Sequence, residues 1–170
     1  YEAFTGRAHL ERDLITAGED KVNVIILRPG YVYGRSQGYY VPAMFFATPS
    51  KITIAGNPNK RWSWIHVDDL ADAYVKAALR AHTLHGQIFN VGLSNPATFE
   101  ELARKASAVA GVKDPSVSVI EPVGWGKTQD ITIVVSSKKA QDLLGWQPKH
   151  LDFIQEMEIH YNAWKAHSSV

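Results

Sequence analysis

The segment Val24-Ile25-Ile26-Leu27-Arg28-Pro29-Gly30-Tyr31-Val32-Tyr33-Gly34-Arg35 constrains this chain most. Its apolar opening is short, rich in β-branched residues and does not alternate. That pattern predicts a strand over residues 22–27 buried on both faces, as in a parallel sheet. Pro29 should end it, because proline cannot donate to a ladder. A loop of glycine and tyrosine then leaves the carboxyl end of the strand, where open α/β sheets hold their ligands.

Strand and helix signals alternate along the rest of the chain, which predicts α/β architecture. Residues 4–17 read as an amphipathic helix with Phe4, Ala8, Glu11, Leu14 and Ile15 on one side, stopped by Gly18. Residues 34–50 read as loop and short helix, and Lys51–Ala55 as a short strand followed by the turn Gly56-Asn57-Pro58-Asn59. Asp68 is placed to cap a helix over residues 69–81. Leu70, Ala73, Tyr74 and Ala77 mark its buried stripe, while Asp69 and Asp72 face solvent. A strand is expected over residues 87–91. Thr98-Phe99-Glu100-Glu101 is a capping box opening a helix that closes at Gly111. Ser116–Ile120 alternates as a strand, Ser137 opens a helix over Lys138–Leu144 ended by Gly145, and a last helix covers residues 151–164.

The 170 residues fit one domain or one large lobe, enough to bury about two thirds of the unfolded surface. The formal net charge is +1, with no basic block or stripe, which argues against nucleic acid as the main partner. Cysteine is absent, so disulfide and thiolate chemistry are excluded. The polar N-terminal segment is not a signal peptide, and no apolar run approaches the roughly 18 residues needed to span a bilayer. A cytoplasmic protein is the expectation.

Four motifs in order resemble those of the extended short-chain dehydrogenase/reductases, the NAD-dependent epimerase/dehydratase group. They are Leu27-Arg28-Pro29 with Tyr33-Gly34, then Trp64-Ile65-His66-Val67-Asp68-Asp69-Leu70-Ala71, then Phe89-Asn90-Val91-Gly92. Ser137-Lys138-Lys139-Ala140 with Leu144-Gly145-Trp146-Gln147-Pro148 is the last. The resemblance implies the C-terminal part of a Rossmann-like NAD(P)-binding fold with a smaller α/β substrate-binding lobe. Residues 1–35 and 62–92 would belong to the nucleotide-binding domain, and residues 36–61 and 93–170 to the lobe. It also implies NAD or NADP as cofactor and a small-molecule substrate, a sugar nucleotide or another carbonyl or hydroxyl compound.

This sequence departs from the family pattern in the parts that do the chemistry. The Gly-x-x-Gly-x-x-Gly turn that cradles pyrophosphate is not in it. Nor is the Tyr-x-x-x-Lys pair: Tyr1 is followed four positions on by Thr5, and if Arg7 takes the lysine's place then Ala3 stands where the tyrosine belongs. The catalytic residues are therefore unassigned. Two accounts stay open, a chain that begins just after the tyrosine or a member with divergent chemistry.

By the same resemblance, Pro29, Tyr31 and Val32 are the candidates for contact with the nicotinamide carboxamide. Tyr33, Arg35 and Arg61 are the candidates for the substrate. A guanidinium forks onto phosphate with two parallel hydrogen bonds, which favours Arg61 over its neighbour Lys60. His66 reads as a core-edge histidine rather than a base. His82 and His85 have metal-ligand spacing but read as a helix-end cluster, so no metal is expected. Trp125 and Lys127 are weak candidates for the pocket wall, while Trp146 and Trp164 read as packing residues.

Two functions are compatible with this reading. One is an NAD(P)-dependent epimerase/dehydratase or oxidoreductase of which this chain is the C-terminal portion, inactive by itself. The other is a non-catalytic NAD(P)-binding or regulatory protein that kept the fold. An isolated half would leave the strand at residues 22–27 with an unpaired edge, so a missing N-terminal half, a partner chain or a homodimer is expected to cover it.

Overall fold

The computed structural model describes residues 5–18, 21–35, 41–124 and 126–168. In chain order these form α1 (Thr5–Gly18), β1 (Ile26–Pro29), β2 (Tyr31–Tyr33), a π-helical turn (Pro42–Phe46) and β3 (Lys51–Ala55). Then come β4 (Trp64–His66), α2 (Val67–Leu79), β5 (Ile88–Val91), α3 (Phe99–Val109) and β6 (Ser116–Ile120). The short turn α4 (Gly126–Gln129), α5 (Lys138–Leu144) and α6 (Phe153–Ser168) complete them. Every strand pairing is parallel: β1 with β5, β2 with β4, and β3 with β6. This is the α/β architecture the sequence predicts.

The first strand differs from its expectation. It starts at Ile26, Val22 is 64% exposed, and Ile26 and Leu27 are only half-buried. Among the described residues β1 has a neighbour on one edge alone, so it lacks the cover that would bury both faces. Pro29 is the strand's last residue, as expected, yet it is paired in register with Val91. The reason is parity. Ile26 N donates to Gln87 O and Gly30 N to Val91 O, so even-numbered amides face β5 and the proline nitrogen faces the open edge.

Most of the large apolar side chains gather in one core. Trp62, Trp64, Phe45, Phe46, Ile52, Leu102 and Met157 are each at most 2% exposed there, closed by α3 and α6. A smaller cluster joins α2, β5 and α5 through Ala73, Phe89, Val91, Leu144 and Trp146. Trp146 Nε1 donates to Asp69 O at 2.8 Å. Trp164 packs against Phe46 and Tyr161. Both tryptophans are therefore packing residues, as expected.

Several caps follow the sequence and some do not. The box at Thr98 and Glu101 forms in both directions, at 3.1 and 2.7 Å. Gly145 ends α5 in the left-handed region, where a side chain would be strained. Ser137, however, does not cap α5 with its side chain. Its hydroxyl donates to Gly92 O at 2.7 Å and accepts from Gly92 N at 2.9 Å. The cap of α2 is His66, whose Nδ1 accepts from Asp68 N at 3.2 Å, so the expectation of Asp68 as cap is corrected to the residue at the end of β4. Asp69 is not solvent-facing: it is 3% exposed and accepts from Lys149 N at 2.9 Å and His150 N at 3.0 Å. Tyr74, placed on the buried stripe, is 56% exposed.

On α1, Glu11 and Ile15 face inward, while Leu10 and Leu14 are 57% and 47% exposed. Phe4 lies outside the described residues. Glu11 binds Arg28 of β1 through both carboxylate oxygens, with Arg28 Nε at 2.9 and 3.1 Å. Among the described residues no helix is long and apolar enough to cross a membrane.

Candidate functional site

The chain crosses from β1 to β2 at Gly30. Its amide donates to Val91 O and the next, of Tyr31, donates to Ser63 O, each at 2.8 Å. A Cβ at Gly30 would collide with the Ser63 carbonyl, so only glycine lets the two strands pass this closely. Pro29 and Val32 keep exposed surface on either side of this crossing. The Tyr31 ring turns back and stacks on Trp62, with centroids 3.9 Å apart and planes 13° from parallel.

Trp62 is also a wall of a cleft of about 280 Å³. The π-helical turn, β3, Phe99, Gly126 and Gln129 form the rest of it, with Lys60 beside Trp62. In extended chain, alternate residues share a side, so Lys60 and Trp62 look the same way and Arg61 looks the other. Arg61 accordingly lines a separate cleft of about 510 Å³, where its Nη1 donates to Pro96 O at 2.5 Å. Lys60 is 4% exposed. Its Nζ donates to Ala55 O at 2.6 Å and lies 4.8 Å from the Phe99 ring centre. Burial pushes its pKa down, opposed by the charge of Asp130 at 3.9 Å.

The remaining sequence candidates are engaged with the protein itself. Tyr33 is 1% exposed, packs on Phe153 and donates its hydroxyl to Glu156 Oε2 at 3.3 Å. Burial and then the charge of Glu156 hold its phenol well above the usual range, so it keeps its proton. Arg35 forks onto Asp68, Nε to Oδ1 at 2.5 Å and Nη2 to Oδ2 at 3.0 Å. Lys127 is exposed, while Trp125 lies outside the described residues.

Sequence reasoning missed a histidine cluster under the Gly34 turn. His66 stacks on His150, with centroids 3.7 Å apart, and His160 stands 5.5 Å away. Glu156 links the other two, meeting His150 Nδ1 at 2.9 Å and His160 Nε2 at 3.6 Å. Burial is the main cause that pushes the pKa values of both His66 and His160 down. His66, Asp68 and His150 bring ligand atoms within 4.8 Å of one another. His66 Nδ1 already accepts from Asp68 N, Asp68 is held by Arg35 and His150 Nδ1 meets Glu156, and stacked rings do not aim their in-plane lone pairs at one centre. His85, which the sequence pairs with His82 at metal-ligand spacing, accepts from Val24 N at 2.9 Å and clasps the approach to β1.

The model of the NAD dependent epimerase/dehydratase family matches residues 7–92, which contain the Gly30 crossing and the first motifs. The chain belongs to the NAD-dependent epimerase/dehydratase family. A UDP-glucose 4-epimerase of Rhizobium leguminosarum bv. trifolii is 30% identical over 138 residues, 79% of this chain and 37% of its own length. The chloroplast stem-loop binding protein of 41 kDa b of Arabidopsis thaliana is 28% identical over 153 residues, 83% of this chain and 39% of its own length. A solved UDP-glucose 4-epimerase of Thermus thermophilus in complex with NAD superposes with a TM-score of 0.70 at 25% identity, covering 93% of this chain and 52% of that one. A UDP-glucuronic acid 4-epimerase of Bacillus cereus shares the fold with a TM-score of 0.74, at 19% identity over 92% of this chain and 50% of that one. The chain thus spans between 30% and 40% of the length of the curated relatives it matches.

Within that family the residues present suit one end of a dinucleotide only. The Gly30 crossing offers exposed backbone and apolar surface at a strand end, which fits a nicotinamide. The glycine-rich cradle for pyrophosphate is not in this sequence.

Proposed function

We propose that this chain supplies the nicotinamide-facing strand end and the substrate cleft of an NAD(P)-dependent epimerase/dehydratase or reductase acting on a sugar nucleotide or another carbonyl or hydroxyl compound. The nucleotide-binding part comprises residues 1–35 and 62–92, and the substrate lobe residues 36–61 and 93–170. The observation that carries this reading is the Tyr31–Trp62 stack, which joins the strand-end turn to a cleft. When bound, the cofactor takes or gives a hydride at a carbon bearing oxygen. Pro29, Tyr31 and Val32 would hold the nicotinamide ring, with Tyr31 braced by its stack on Trp62. Arg61 and Arg35 hold other parts of the protein, and Tyr33 stays protonated as a packing residue, so none of the three is assigned the proton transfer.

Val32→Asp tests the placement. In the complete protein carrying this chain, a carboxylate there should raise the Kd for NAD(P) about tenfold, at unchanged thermal stability because Val32 is a surface residue. Unchanged affinity would remove Val32 from the cofactor site.

A second reading is a binding protein that kept the fold, and one observation favours it: the relative covering 83% of the chain is named for stem-loop binding. The net charge of +1 offers little to a phosphate backbone. Turnover of any carbonyl substrate with NAD(P)H by the complete protein eliminates this reading.

A further inference from the structure

We propose that His66 is a positioning residue for the nicotinamide turn: its uncharged ring holds the end of β2 and the Gly34 turn in place, and a proton on it releases them and weakens cofactor binding. The inference rests on the Tyr31–Val32 strand end being the nicotinamide site.

His66 ends β4 and pairs in register with Tyr33, the residue after Val32. Its Nδ1 accepts from Asp68 N at 3.2 Å, so that nitrogen carries no proton while the ring caps α2. The opposite edge of the ring lies beneath Gly34, where φ is +105° and a Cβ would collide with Nε2. One face stacks on His150 at 3.7 Å, while Tyr33 meets the ring edge-on at 5.2 Å and His160 stands at 5.5 Å. A single buried ring, 4% exposed, thus joins the start of α2 to the turn that follows the proposed cofactor contacts.

The charged groups around the ring all have partners of their own. Asp68, from α2, lies 3.9 Å from Nδ1 but is forked by Arg35 of the Gly34 turn. Glu156, from α6, meets His150 Nδ1 at 2.9 Å and the Tyr33 hydroxyl at 3.3 Å, and stands 3.6 Å from His160 Nε2. Asp69 accepts from the amides of Lys149 and His150, and Asp152 from those of Ile154 and Gln155. A proton added to His66 goes to Nδ1 and turns an acceptor into a donor aimed at the Asp68 amide. Two donors cannot share that position, and the new cation lies face to face with His150. The ring must turn toward the Asp68 carboxylate or toward water, and either movement withdraws its support from Gly34 and the end of β2. Burial, and then the neighbouring His150, push the pKa of His66 down. Cofactor affinity is therefore full above the ordinary histidine value of about 6.5 and falls as pH drops through the depressed one.

The test is calorimetric titration of the complete protein with NAD(P) from about pH 7.5 to about pH 5.5, over the range in which circular dichroism shows the fold intact. The dissociation constant should rise about tenfold as pH falls. His66→Asn, whose amide oxygen can cap α2 without taking a proton, should keep that change within about twofold. Histidine and amide NMR of the wild-type protein needs no variant. His66 should titrate with the same midpoint as the affinity, and the Gly34 and Asp68 amide signals should move with it in the absence of cofactor. If affinity is constant over this range, if its fall survives in His66→Asn, or if the Gly34 amide is indifferent to the titration of His66, the inference is overturned. Should NAD(P) fail to bind even at about pH 7.5 while the Gly34 and Asp68 amides still follow His66, the proposed function falls and the hold of His66 on the turn stands.

Discussion

The two hydrophobic clusters of this molecule are built to different standards. The one around Trp62, Trp64, Phe45 and Phe46 is closed by α3, α6 and the π-helical turn, with rings packed at 3.9 to 6.4 Å. The one around Phe89 and Trp146 is bordered by half-open elements: β1 has a bare edge among the described residues, and α1 shows Leu10 and Leu14 to solvent. The first is a finished core. The second is the more open of the two among the described residues.

The sharpest way to break that contrast is to delete a core side chain. Leu102→Ala, at a fully buried position in α3, should cost about 2–5 kcal/mol in urea unfolding. A loss below about 1 kcal/mol would mean that this core is as loose as its neighbour. Acidification should act next. His66 and His160 have folded pKa values below the ordinary histidine range, so the unfolded chain binds more protons as pH falls below about 6.5. The stability they allow is full above that value and is lost as pH drops through the folded values. A melting temperature that falls between about pH 6.5 and pH 5, with a shallower fall in His160→Phe, is the expected result.

A smaller effect should come from Glu11→Gln. Glu11 is held below the ordinary carboxylate range, chiefly by its hydrogen bonds to Arg28. Arg28 is half-exposed, so the pair contributes only about 1 kcal/mol, present above the ordinary carboxylate pKa and lost as pH falls through the depressed one. Hydrogen exchange in α1 should rise on substitution, while exchange in α3 stays unchanged. Least of all, Leu14→Ser should change stability by no more than about 0.5 kcal/mol in this chain, because the residue is already 47% exposed.

What the sequence made legible follows the same divide between local and distant causes. Lys51–Ala55, Ser116–Ile120 and Lys138–Leu144 fall where their alternation or their glycine stop places them. The box at Thr98 and Glu101 is a signal complete within four positions. Asp69 could not be read this way, since the amides that bury it belong to Lys149 and His150, far along the chain. The clefts that Lys60 and Arg61 face were hidden for a different reason. Residue type favours the guanidinium as an anion receptor, but in extended chain a step of one position reverses the side. Only the pairing of Trp62 with Ile133 and of Arg61 with Thr98 decides which side is which. The strand at Tyr31–Tyr33 was hidden by its glycine and proline neighbours, and it forms because β4 lies alongside in register.

Gly30 links β1, bound to β5, directly to β2, bound to β4, with no intervening loop. Any shift of one strand pair against the other must be absorbed at that one residue or shear the contacts of Ser63, whose carbonyl accepts from Tyr31 N and whose hydroxyl joins Leu93 O and Val135 N. The two pairs are thus geared together, and a push on Trp62 would reach the strand end through the Tyr31 ring stacked on it.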